Sequence, residues 1–190
     1  MIKELVMKNR SYRRFDENYR ITGQELRELT LLARFVPSAG NQQPMRYCLI
    51  AEPDEQVFAC LGWAASLPDW PGPEKGERPS AYIVILSDKM YRGSHEKDVG
   101  IAAQTILLGA VEKGLGGCML GSVNRTKLAD YLGLDNDSFG IELVLAIGKP
   151  VEEVRIVDVG RDGSIRYYRD ADRVHYVPKR SADELILSEV

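Results

Sequence analysis

A chain of 190 residues and 21.3 kDa has room for one compact domain and little for two. At 44% hydrophobic and 28% charged residues, its composition is that of an ordinary globular protein. Lys and Arg number 25 and Asp and Glu 28, so the net charge is 25 − 28 = −3, which argues against a protein that grips nucleic acid through phosphates. The longest strongly apolar stretch, Val99 to Val111, is too short to cross a bilayer and carries Gln104 and Thr105. The opening MIKELVMKNRSYRRFDE lacks an apolar signal core. Cys48, Cys60 and Cys118 form no C-x-x-C pair, and with His95 and His175 they make no metal-ligand spacing. The expectation is a reduced, cytoplasmic protein of one domain over residues 1–190, with no structural metal, no nucleic-acid partner and no membrane.

In chain order, Ile2 to Lys8 reads as a short helix that stops at NRS. A second helix runs from Gly23 to Phe35, with Thr22 and Glu25 at capping-box spacing and Pro37 ending it. Met45 to Ala51 reads as a buried strand and 54–66 as a helix. LPDWPGPEKGERPS then supplies a long loop, with residues 63–80 as a lid that would include Trp63 and Trp70. Ala81 to Ser87 is the next strand, rich in β-branched residues. His95 to Lys113, capped by Ser94, is the strongest helix and is apolar on almost every face, which suits burial in a core or a subunit interface. GLGGCMLGS reads as a glycine-rich turn; Asn124 to Leu132 as a helix closed by Gly133; Ile141 to Gly148 as a strand. RIVDV and SIRYYR read as a hairpin about RDGS, and SADELIL as a closing helix with Ser181 and Glu184 at capping-box spacing. Without a regular βαβ rhythm, the class is α+β: a central, mostly antiparallel sheet flanked by helices.

Three segments have the chemistry of a binding site. In NRSYRRFD, Arg10, Arg13 and Arg14 surround Ser11, and guanidinium forks with a hydroxyl suit phosphate oxygens; a solvated basic helix end is the plainer alternative. PSAGNQQP brackets small residues and three amides between Pro37 and Pro44, and so permits close approach to a flat ring and pairing with its mixed donor–acceptor edge. GLGGCMLGS is not a dinucleotide fingerprint, because Met119 stands where the third glycine belongs and a helix precedes it. There is no G-x-S-x-G elbow, the cysteines read as packing, and Glu152 and Glu153 read as solvated.

Taken in this order, the segments resemble the nitroreductase family of flavin enzymes. Its R-S-x-R-x-F opening is matched by Arg10 to Phe15, and its A-P-S-(S/A)-x-N-x-Q-P loop by Phe35 to Pro44. D-x-G-x-A-x-Q-x-L-L-L-A-A-x-x-x-G-L-G is matched by Asp98 to Gly116, G-K-P by Gly148 to Pro150, and a basic pair before the last helix by Lys179 and Arg180. The resemblance implies non-covalent FMN at the interface of an intertwined homodimer. Arg10, Ser11 and Arg13 would hold the phosphate and ribityl chain, with Arg180 and Lys179 reaching the same phosphate. Pro37, Ser38, Ala39 and Asn41 would reach the flavin from the partner subunit. Met119, Leu120 and Gly121 would lie under the ring, the Gly121 amide meeting N5. It also implies NAD(P)H as co-substrate and a ping-pong transfer to a nitroaromatic, quinone or similar small acceptor, the cofactor carrying the chemistry with no catalytic side chain. A substrate-specific flavin enzyme of the same fold (dehydrogenase, dehalogenase or flavin-fragmenting) and a non-catalytic FMN-binding protein are the alternatives. Two departures stand out: Asn9 replaces a frequent cation before the serine, and Met119 a frequent aromatic.

Overall fold

A computed structural model describes residues 1–64, 66–67 and 69–189 of the chain. They form two compact units: Met1–Trp63 with Gly72–Val151, and Ala64–Pro71 with the chain from Glu152 onward.

The first unit is built on a four-stranded antiparallel sheet in the order β1-β2-β4-β3, where β1 is Met45–Ile50, β2 Ala81–Asp88, β3 Gly116–Leu120 and β4 Phe139–Gly148. Strand β2 is buried at every position, and its period of two explains why. Ala81, Ile83 and Ile85 face a core shared with α2 (Gly23–Leu31) and α4 (Glu96–Glu112), through Leu26, Leu29, Ala103, Ile106 and Leu107. Tyr82, Val84 and Leu86 face a second core with α3 (Glu55–Phe58) and α5 (Arg125–Leu132), through Val57, Leu128 and Ala129. Ile85 pairs with Leu143 and Leu86 with Ile141, so Glu142 is the extra residue of a β-bulge; its carboxylate accepts from Ser87 Oγ at 2.6 Å.

Helix termini follow the local chemistry. The first helix, α1 (Ile2–Lys8), has the expected span. Thr22 caps α2 with a capping box to Glu25, and Gly133 closes α5 in the left-handed conformation at φ 62°. After α2 the chain tightens into a 3-10 turn, Leu32–Phe35. At α4 the N-cap is His95 rather than Ser94, without a side-chain cap bond; His95 Nε2 instead lies 3.0 Å from the Tyr91 carbonyl.

The second unit carries a three-stranded sheet in the order β5-β7-β6, with β5 Val154–Asp158, β6 Tyr168–Arg169 and β7 His175–Lys179. Here the expected hairpin is corrected: β5 pairs in parallel with β7, and β6 antiparallel with β7, so RIVDV and SIRYYR never face one another. Glu152 is corrected as well, because its side chain is fully buried against Arg169. The closing helix α6 is one turn, Ala182–Leu185, with Ser181 and Glu184 in the expected box.

Two further expectations change in the first unit. Of the helix expected over 54–66, the described residues hold one turn, α3, capped by Asp54 through the amides of Gln56 and Val57; Gly62 already donates to the Ser122 carbonyl at 2.8 Å, which needs extended chain. The glycine-rich segment is strand β3, not a turn. A Cβ on Gly116 would meet the Tyr12 ring at 2.5 Å and Pro150 at 2.7 Å, and one on Gly117 the Ala146 carbonyl at 2.6 Å. Close approach, not turning, requires these glycines.

Candidate functional site

Three of the candidate segments lie in the first unit, and hydrogen bonds fix two of them side by side. The N-terminal segment leaves α1 and bridges in parallel to β3 at Ser11 and Gly117. Tyr12 N donates to the Gly117 carbonyl at 3.0 Å. Farther along, Phe15 N donates to Glu77 O, Asp16 N to Lys149 O, and Val151 N to Arg14 O. The arginine segment is thus an added edge of the sheet, and Ser11 sits two residues, about 7 Å of strand, from the level of Met119.

The arginines divide by burial. Arg14 is buried and forms a bidentate pair with Glu77 at 2.7 and 2.6 Å, so it belongs to the fold. Arg10 donates from Nη2 to Val6 O at 2.8 Å, while its Nε is buried with no hydrogen-bond partner among the described residues. Arg13 donates from Nη1 to Ser11 O at 3.2 Å, and the Ser11 residue is exposed. Asn9 is buried and donates to Gln104 Oε1 of α4 at 3.2 Å; it ties this segment to the helix.

The proline-bracketed loop is held from below by a residue to which the sequence reading gave no role. Asp98, in the first turn of α4 and buried, accepts from Ser38 Oγ at 2.8 Å and from the Ala39 amide at 3.2 Å. Ser38 Oγ in turn accepts from the Gln43 amide at 3.0 Å. Inside the loop, Gly40, Asn41 and Gln43 have φ of 57°, 55° and 51°, around a right-handed Gln42; the two non-glycine residues adopt such values only when their surroundings impose it. Pro37, Ala39 and Asn41 stay exposed on the outside of this turn. Nothing in the local sequence pairs Asp98 with Ser38, which lies sixty positions earlier.

Met119 points outward at 36% exposure, between buried Cys118 and Leu120. The turn after it is fixed from two sides. Arg125 reaches the Gly121 carbonyl, and Gly62 the Ser122 carbonyl. The cysteines offer no nucleophile: Cys60 and Cys118 are buried, and burial pushes the Cys48 thiol up.

Lys179 and Arg180 lie in the second unit, at the end of β7 and just beyond it; Arg180 Nη1 contacts Glu184 at 3.1 Å. The segment expected as a lid falls in both units. Trp63 packs in the first, its ring 5.6 Å from that of Phe58. Trp70 lies in the second, under the Arg169 guanidinium at 4.0 Å. Ala65 and Pro68 of that segment lie outside the described residues. Among the described residues no helix is long and apolar enough to cross a membrane, and no group of three or more His, Cys, Asp or Glu could hold a metal.

Comparison with known proteins gives one consistent result. The nitroreductase family model matches residues 6–149. An oxygen-insensitive NADPH nitroreductase of Helicobacter acinonychis is 23% identical over 186 residues, covering 80% of this chain and 88% of that protein. A nitroreductase candidate of Desulfovibrio desulfuricans, solved in complex with FMN, superposes with a TM-score of 0.70 at 22% identity, over 100% of this chain and 96% of the other. An FMN-dependent nitroreductase of Clostridium difficile gives 0.63 at 21% identity, over 80% and 89%. The fold and the matched segments agree: this chain belongs to the nitroreductase family.

Proposed function

We propose that the protein is an FMN-dependent NAD(P)H oxidoreductase of the cytoplasm, working as a homodimer on a small-molecule acceptor. The carrying observation is the bridge between Ser11 and Gly117. It sets a cationic, hydroxyl-bearing segment beside the Met119-Leu120-Gly121 strip, an arrangement suited to a ligand with a phosphate at one end and a flat ring at the other. The residues fit that ligand. Arg10 has a buried Nε without a partner among the described residues, Ser11 is exposed, and the half-exposed Met119 side chain offers an apolar, polarisable wall.

In this reading Arg10, Ser11 and Arg13 bind the phosphate and the chain next to it. Met119, Leu120 and Gly121 support one ring face, and the Gly121 amide donates to N5. Pro37, Ser38, Ala39 and Asn41 act on the flavin of the other subunit, in a turn whose shape Asp98 maintains. FMN held there would supply the chemistry, a hydride transfer from NAD(P)H and a two-electron transfer to a nitroaromatic, quinone or similar acceptor in alternating half-reactions. The chain's part is to bind, orient and exclude water, so no side chain is needed as general acid or base.

Homodimer formation is supported by apolar residues left outside the protomer's core. Phe35 is 77% exposed after α2, and Ile101 is exposed on α4. Dilution on a sizing column is expected to show a dimer that persists to low concentration.

The test of the function is an anaerobic absorbance spectrum of FMN-supplemented protein before and after NADH or NADPH. A yellow protein that bleaches rapidly is expected. One that binds FMN yet stays yellow would favour a substrate-specific or storage role, and one that binds no FMN would sink the site assignment.

A further inference from the structure

Arg125 stands where a cation is least favoured. It is the first residue of α5, whose N-terminus already carries partial positive charge. Asn124 caps that end through the Lys127 amide at 3.1 Å, and no acidic residue lies in the first turn. Among the described residues no carboxylate pairs with it. Its guanidinium instead donates to three backbone carbonyls: Nε to Ile141 at 2.9 Å, and Nη2 to Glu142 at 3.3 Å and Gly121 at 3.4 Å.

Two of those carbonyls are consecutive, and in a regular strand they would point to opposite sides. They reach one guanidinium because Glu142 is the bulged residue of β4. The third carbonyl is that of Gly121, the residue whose amide is assigned to N5 above. A bulge, a misplaced helix cation and the ring-facing turn therefore converge on one side chain. A local rule broken in this way, with no compensating ion pair, is the mark of a residue kept for function.

We propose that Arg125 is a positioning residue that clamps the Gly121 turn and places its uncompensated positive charge behind the flavin, raising the flavin's reduction potential. This rests on the flavin reading given above. Hydride uptake brings two electrons and one proton to the ring, a net gain of one negative charge, while the donor leaves as NAD(P)⁺. A cation nearby favours that gain, and Arg125, exposed in the protomer, is held in place by its three carbonyl bonds.

The test uses the full chain, wild type and R125K, R125Q and R125M, each loaded with FMN. Flavin affinity is read by fluorescence titration, midpoint potential by equilibration with a reference dye, and folding by circular dichroism. R125Q and R125M are expected to shift the potential to more negative values, and R125K, which keeps the charge, to stay near wild type. A wild-type potential in R125Q or R125M overturns the proposal, as does an R125K shift as large as that of R125M. If R125M fails to fold, the R125Q and R125K pair makes the same comparison. Wild-type protein that binds no FMN overturns the flavin reading and this proposal together; flavin binding with invariant potentials overturns this one alone.

Discussion

The two units bury their chains in opposite ways. In the first, β2 is apolar on both faces and its charges are kept to the ends, as where Asp88 meets Arg46 at 2.9 Å. In the second, the centre is charged. The Glu152 side chain is fully buried, with Arg169 at 2.5 Å and His175 Nδ1 at 3.8 Å from the same oxygen. The Tyr167 ring lies 5.1 Å from that of His175, and Trp70 covers Arg169. Strand β5 is exposed along most of its length, so the apolar area is small and ordering falls to directional bonds. Such a centre specifies one arrangement more than it stabilises it, whereas the first unit draws on area.

Removing a partner from the charged centre should cost most. Glu152→Ala breaks a buried ion pair and should destabilise the second unit by about 3–5 kcal/mol, read as lost hydrogen-exchange protection in β5 and β7. Replacing Glu152 and Arg169 together by Met and Leu should cost clearly less; an equal cost would mean that packing, not charge, holds this unit. In the apolar unit, Ile106→Ala should cost about 2–5 kcal/mol, read by urea unfolding followed through the sheet amides.

Arg13 and Arg14 bring the contrast down to adjacent residues. Arg14→Ala breaks the bidentate pair with Glu77 and should lower the melting temperature markedly. Arg13→Ala should leave melting little changed while weakening FMN retention tenfold or more, about 1.5–3 kcal/mol for a charged hydrogen bond. An unchanged FMN affinity would remove Arg13 from the site.

The smallest effect concerns the capping boxes of α2 and α6. Thr22→Ala should cost about 1 kcal/mol. The Glu25 carboxyl is held below its usual value, first by the Thr22 amide and then by the Thr22 hydroxyl. Its contribution is therefore complete above the ordinary carboxylate range and is lost as pH falls through the lowered folded value. The stability gap between wild type and Glu25→Gln should close on acidification; a gap independent of pH would break the assignment. Glu184, lowered first by the Ser181 amide, predicts the same sign in the second unit.

Sequence reading did best where a signal is local. The spans of α1 and α5, the capping boxes and strands β1, β2 and β4 follow from periodicity and end chemistry. Strand β3 did not, because glycine ordinarily weakens strands, and what selects it here is the Tyr12 ring, remote in sequence. The β5–β7 pairing was hidden because a parallel partner far along the chain, Val154 with His175, leaves no turn signal. Within the proposed site, Arg10, Ser11 and Arg13 were legible as a motif. The supports were not: Asp98 beneath the loop and the separate use of Arg14 depend on contacts that no short window contains.

Because Tyr12 and Pro150 fill the space over Gly116, and the Tyr12 amide is spent on Gly117, the arginine segment has no hinge of its own. It can lift only when β3 loosens. Amide exchange at Tyr12 should therefore keep time with the sheet rather than with surface loops.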